Sequence, residues 1–196
     1  MFGSIKYNLS HLIDFAGRDA RQTFWYYILF LVVIEFGASI AMSVPLMVGI
    51  FSQAIEAAKA GITDQTEIQN MMAAQMGGWL QHTVWVSMVL GLAMILLFVA
   101  AFVRRLHDSD KSGWWAALPI ATKLFSMAMT FSVMDRMQEM IATAMQHPEA
   151  GGMLQYQREM APYSLLSWTG YIVVIVFGIM KSTDGPNRYG AAPVRF

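Results

Sequence analysis

The chain has 196 residues, 56% of them apolar and 13% charged, with a mean hydropathy of +0.45. Soluble domains carry about 25% charged and roughly 45–50% apolar residues, so this composition argues against both a disordered chain and an ordinary water-soluble globule. Basic and acidic residues balance at 13 each and cysteine is absent, which removes any bulk charge for nucleic acid and excludes disulfides, zinc–thiolate sites, iron–sulfur clusters and thiol catalysis.

From the N-terminus, Phe2, Ile5, Leu9, Leu12 and Ile13 recur at helical spacing, while Lys6, Asn8, His11 and Asp14 lie off that stripe. The spacing predicts an amphipathic helix over 2–13, lying on the inner leaflet or packing on the helix bundle. Residues 15–25 (FAGRDARQTFW) follow. Gly17 suits a break before the first long helix, and Arg18 and Arg21, three apart, would share a helix face.

A helix crosses the hydrocarbon core with about 20 mostly apolar residues. Four segments meet this: 24–51 with one charge, Glu35; 84–103 with none; 114–134 with Pro119 and Lys123; and 163–180 with none. Pro162 stands where the first turn of the fourth helix would be. The first span is expected to be retained rather than cleaved, because Lys6, Asp14, Arg18, Asp19 and Arg21 precede it and its apolar run is too long for a signal core. The uncharged run 84–103, followed at once by Arg104-Arg105, has no easy soluble explanation.

The segments 52–83 and 135–162 are read as outer loops. Asp64, three residues before Glu67, is a candidate cap for a helix over Ile68–Met76. The stripe Met134, Met137, Met140, Ile141 suggests that the third helix continues to about Gln146, ended by Pro148 and Gly151-Gly152. The whole chain is read as one membrane domain.

Basic residues in short loops set orientation. Segments 1–23, 104–113 and 181–196 carry nine (Lys6, Arg18, Arg21, Arg104, Arg105, Lys111, Lys181, Arg188, Arg195), against Lys59, Arg136 and Arg158 on the other side. Both termini are therefore expected in the cytoplasm. Trp25, Tyr26, Tyr27, Trp79, Trp114 and Trp115 fall near the proposed membrane edges, where amphipathic rings favour the headgroups.

Three groups of residues could carry chemistry. Glu35 and Lys123 fall roughly 14–15 Å inside the cytoplasmic edge at 1.5 Å per residue. Opposite charges at matched depth suggest an ion pair, acting as a clamp between the first and third helices or as part of an ion path, unless the lysine snorkels away. The loop RRLHDSDKSGWW (104–115) holds arginines able to fork onto lipid phosphate and a neighbouring His107 and Asp108. That pair has the residue types of an acid–base couple, but no serine nucleophile has a supporting motif. Asp14, Asp19, Asp108, Asp110 and Asp184 are available to pair with the arginines. Finally, Met71, Met72, Met134, Met137, Met140, His82 and His147 include soft ligands for Cu(I), although methionine is more often apolar filler, and no metal site or cofactor is assigned.

Three motifs in order, FAGRDARQTFWYY (15–27), RRLHDSDKSGWW (104–115) and DGPNRYG (184–190), resemble the bacterial inner-membrane family catalogued as domain-of-unknown-function 805. The resemblance implies a small multi-pass membrane protein and no reaction. All three motifs fall on the side assigned to the cytoplasm. The expectation is an all-α polytopic membrane protein: a four-helix transmembrane bundle with an N-terminal interfacial helix and both termini cytoplasmic. Its function is read as a non-enzymatic module in the inner membrane. A face built from Arg18, Arg21, Arg104, Arg105, His107, Asp108 and Arg188 would hold its architecture or bind anionic headgroups or a protein partner, a second copy included. The alternative is a small transporter or channel that uses Glu35 and Lys123.

Overall fold

The computed structural model describes residues 1–132, 134, 136 and 152–193. Among the described residues five α-helices follow in order: α1 (Phe2–Ser10), α2 (Arg21–Lys59), α3 (Gln65–Asp108), α4 (Ala117–Ser132), entered through a 3-10 turn at Gly113–Ala116, and α5 (Gly152–Ile179). Among the described residues there is no strand, only one isolated bridge between Asn187 and Gly190.

The helices outrun the proposed spans. At 1.5 Å per residue the 39 residues of α2 reach about 58 Å, against a hydrocarbon core of ~30 Å. Most of the expected outer loop 52–83 is therefore helix. Residues 52–59 continue α2, 65–83 begin α3, and only 60–64 connect them. No glycine or proline interrupts 52–59, which is why the helix runs on. Asp64 caps α3 as expected, its Oδ1 accepting from the Thr66 amide at 2.8 Å, but the helix starts at Gln65 rather than Ile68.

Other boundaries move as well. α5 begins at Gly152, so Pro162 lies inside it rather than at its start. Its missing N–H costs one bond, which neighbouring turns of a long apolar helix tolerate. Arg104 to Asp108 form the last turn of α3, not a loop, because basic side chains suit a helix C-terminus. α1 stops at Ser10. Positive φ at Gly17 (83°) turns the chain before α2, a conformation that glycine adopts without steric cost. The expected continuation of the third helix to Gln146 and its end at Pro148 and Gly151 lie outside the described residues, apart from helical positions 134 and 136.

Among the described residues three helical segments are long and apolar enough to cross a membrane: α2, α3 and Ala161–Ile179. Their apolar side chains point largely outward, including Val33, Phe36, Val89, Leu96, Leu165 and Trp168. A water-soluble monomer rarely shows so extended an apolar surface.

The chain divides into two compact units. One comprises Met1–Glu35, Val89–Ser126 and Leu165–Phe196; the other comprises Phe36–Met88 and Met127–Ser164. The core of the first is Phe24, Tyr27, Leu31, Met94, Phe102, Leu106 and Ala116, with Val173, Val174 and Phe177 packed against it. Tyr27 is fully buried and donates to the Leu97 carbonyl at 3.0 Å, so it belongs to the core rather than to an interfacial ring belt. α5 closes on α2 at Gly178. A Cβ there would lie 2.7 Å from Trp25 Cζ2 and 3.1 Å from Phe24 Cε1. In the second unit, Trp79 donates its indole N–H to the Met42 carbonyl at 2.8 Å, Gln53 donates to Gln75 at 2.8 Å, and Trp85 meets Phe131 edge-on.

Candidate functional site

The first unit gathers most of the motif residues at the C-terminal end of α3. Its last turn ends in Arg104, Arg105 and Asp108, all with no exposed surface. Three buried charges at one helix end need partners, since an unpaired buried charge is strongly destabilising.

Arg104 takes the N-terminal segment. Its Nε donates to Asp19 Oδ1 at 3.2 Å, Nη2 to Asn8 Oδ1 at 2.6 Å, and Nη1 to the carbonyls of His11 and Asp14. These carbonyls lie just beyond the end of α1, where orphan acceptors gather. Tyr7 lies under the guanidinium, 5.5 Å from ring centroid to Cζ. The Asp19 amide returns a bond to the Arg104 carbonyl at 3.1 Å.

Arg105 takes the other end of the chain. Its Nε donates to the Gly178 carbonyl at 3.1 Å and its Nη2 to the Met180 carbonyl. Trp25 donates to the same Gly178 carbonyl at 3.1 Å. The C-terminus of α5 is thus capped from α3 and α2 together. One arginine fixes the end of α1 and the next fixes the end of α5, which gives the Arg-Arg pair a geometric reason.

Asp108 is the node between them. Its Oδ1 accepts from Arg18 Nε at 3.2 Å and Nη2 at 3.0 Å. Its Oδ2 accepts from Arg105 Nη1 and from the Ser182 hydroxyl. Arg18 then reaches the tail, donating to the carbonyls of Thr183 at 2.9 Å and Gly185 at 2.6 Å. The Thr183 amide donates to the Asp108 carbonyl at 2.9 Å, and Asn187 Nδ2 donates to the His107 carbonyl at 2.8 Å. This is how DGPNRYG, distant in sequence, meets RRLHD.

Arg18, Arg104, Arg105 and Asp108 come together as the sequence suggests, but their guanidiniums are taken up inside the protein. Arg18 and Arg21 do not share a helix face: α2 starts at Arg21, Arg18 precedes it and turns inward, and Arg21 is exposed. His107 and Asp108 are not hydrogen-bond partners. The His107 ring stacks on Tyr189 at 3.8 Å between centroids and 5° between planes. Arg188 pairs with Asp110 at the exposed edge, 3.0 Å apart, and Asp184 pairs with Lys181 rather than an arginine. Asp14 uses its carboxylate to cap the local turn at Ala16. Burial holds the Asp19 carboxyl above the ordinary carboxylate range, although the Arg104 guanidinium pulls it down.

Asn187 and Tyr189, inside DGPNRYG, join this network, and so do Asn8, Ser182 and Thr183, which lie outside all three motifs and which motif reading does not pick out. One signal exists for Asn8, a polar residue off the apolar stripe of α1. That helix is turned with Ser4 and Asn8 buried while Phe2, Leu9 and Ile13 beyond its end are exposed. Ser4 and Asn8 face the protein, while Phe2 and Leu9 face out beside Lys6.

The second charged site is separate. Lys123 Nζ lies 3.5 Å from Glu35 Oε1, with 34% and 49% of the side chains exposed. No group of three or more metal-capable His, Cys, Asp or Glu residues occurs among the described residues. Met137, Met140 and His147 lie outside those residues.

Comparison with known proteins places these features in context. The family described as "Protein of unknown function (DUF805)" matches residues 12–191, which takes in all three motifs. The chain is similar to the inner membrane protein YhaH of Escherichia coli K12, with 21% identity over 185 residues, 94% of this chain and 91% of the relative. YhaH of Escherichia coli O157:H7 is similar to the same extent. No solved structure matches.

Proposed function

We propose that this chain, which belongs to the DUF805 family, is an integral protein of the bacterial inner membrane with a non-enzymatic role. It crosses the bilayer four times, by α2, α3, α4 and α5, with both termini in the cytoplasm. The nine-to-three division of basic residues supports that orientation, and the similarity to an inner membrane protein supports the location.

In this reading the Arg18–Arg105–Asp108 and Arg104–Asp19 contacts are a clasp that locks both ends of the chain against α3. The groups left to meet lipid are others: the outward face of α1, with Lys6 beside Phe2 and Leu9, and the exposed Ile13, Arg21 and Trp114. Apolar side chains with cations at their edge suit the boundary of an anionic leaflet. The observation that carries this is the polarity of α1. In water an exposed Phe2 and Leu9 above a buried Asn8 would be inverted; against a lipid surface that arrangement is the stable one.

The absence of cysteine in the chain makes single-cysteine labelling clean. Thr63→Cys should react with a membrane-impermeant maleimide on intact spheroplasts, and Ala191→Cys only after permeabilisation. A depth-sensitive fluorophore at Phe2→Cys should report an apolar environment in vesicles containing phosphatidylglycerol. Reaction of Ala191→Cys from outside would reverse the topology, and a water-exposed Phe2→Cys would remove the interfacial role of α1.

A further inference from the structure

Within the first unit, a cavity of about 230 Å³ lies among α2, α3, α4 and α5. Its wall is mostly apolar and includes Met94, Phe98, Ile120 and Val174, and the Glu35–Lys123 pair sits in it. Val32 and Tyr171, each about half exposed, form part of its rim. The side chains of the pair are themselves partly exposed, so they face this space rather than being sealed in protein.

The geometry points to this cavity as a binding site for a neutral, lipid-soluble molecule that carries a hydroxyl or carbonyl head on a hydrocarbon body. Three observations select that chemistry. The wall is hydrocarbon, so the body is apolar. The two charges lining it, one positive and one negative, already balance at 3.5 Å; a charged head would bring an uncompensated third charge into the membrane interior, which is expensive. The pair offers ammonium donors and carboxylate acceptors side by side, the complement of an oxygen that can accept from Lys123 and, if a hydroxyl, donate to Glu35. Depth separates this occupant from a bound phospholipid headgroup, because Glu35 falls about 15 Å beyond Trp25 along the helix. The cavity is smaller than the ~300–1,000 Å³ of sites that enclose a drug-sized ligand, so it takes the head and the first part of the chain, the rest lying in the bilayer past Tyr171.

The inference rests on the bilayer reading proposed above, and one experiment separates the two. The protein in nanodiscs is photolabelled with a diazirine-bearing hexadecanol or with the corresponding diazirine alkane, and labelled peptides are mapped by mass spectrometry. The alkane should label outward positions such as Val89, Leu96 and Leu165; failure to do so would sink the bilayer reading itself. The alcohol should in addition label Met94, Phe98 or Tyr171, and a tenfold excess of plain hexadecanol over its dissociation constant should reduce that labelling about tenfold. Filling the cavity by Ile120→Trp should abolish the competed fraction, and replacing both charges (Glu35→Leu with Lys123→Leu) should make alcohol and alkane label alike. Labelling by the alcohol that plain hexadecanol does not compete, in the unmodified protein, would overturn the site whatever the variants do.

Discussion

Two charged constellations in one unit differ in almost everything except the chemistry of their side chains. At the end of α3, Arg18, Arg104, Arg105, Asp19 and Asp108 are buried and bonded to one another and to the carbonyls of two chain ends. Midway along α2 and α4, Glu35 and Lys123 touch at 3.5 Å and stay partly exposed to a cavity. Carboxylate and cation mean different things in the two places. Where every guanidinium nitrogen has a partner, charge fixes the architecture; where the pair faces an open space, charge is free to meet something else.

The first way to break the contrast is Asp108→Asn. Removing the negative charge leaves Arg18 and Arg105 buried without a counter-ion, and breaking such a pair costs about 3–5 kcal/mol. Thermal unfolding in detergent should show a larger loss for this change than for any of the substitutions that follow. Arg104→Lys comes next. An ammonium cannot reach Asn8, Asp19 and two carbonyls at once, so about 1–3 kcal/mol should be lost, and α1 should become sensitive to protease before the rest unfolds. Gly178→Ala tests the close approach of α5 to Trp25. Overpacking of this kind costs about 1–3 kcal/mol, read as a lowered unfolding midpoint.

The open pair should behave differently. Glu35→Leu with Lys123→Leu should leave stability within about 1 kcal/mol of the parent, because replacing both members of a pair by apolar residues is often neutral. A double-variant loss as large as that of Asp108→Asn would erase the distinction between the two sites. The smallest effect expected is on pH dependence at Asp19. Its folded pKa is raised above the ordinary 3.8 by burial, with Arg104 opposing. The folded state therefore holds this proton more tightly than the unfolded one. Relative to Asp19→Asn, the parent should lose stability as pH rises from below 3.8 and level off once the folded pKa is passed.

How much of this is legible in the sequence depends on the kind of residue. Apolar runs announce the long helices, since hydrocarbon needs length and little else. Their ends are harder. Residues 52–59 read as loop, and the helix expected over Ile68–Met76 reads as a short separate one, because polar residues enter these stretches, yet a helix already nucleated continues through polar positions for little cost. The motif arginines are visible as a group, but their partners are mainly carbonyls of residues 11, 14, 178, 180, 183 and 185. Backbone carbonyls carry no mark in a sequence. For the same reason Arg18 and Arg21 look equivalent at a spacing of three, whereas the turn at Gly17 sends one inward and leaves the other outside. The match in depth of Glu35 and Lys123, by contrast, follows from counting residues, because helix rise is constant.

Whether the arginines serve the fold or the lipid is decided most directly by hydrogen–deuterium exchange of residues 181–190 in nanodiscs with and without phosphatidylglycerol. Protection of this tail should be the same in both lipids and should collapse in Asp108→Asn. Protection that follows the phosphatidylglycerol content and survives Asp108→Asn would show that the guanidiniums answer to the membrane surface, and the clasp would be wrong.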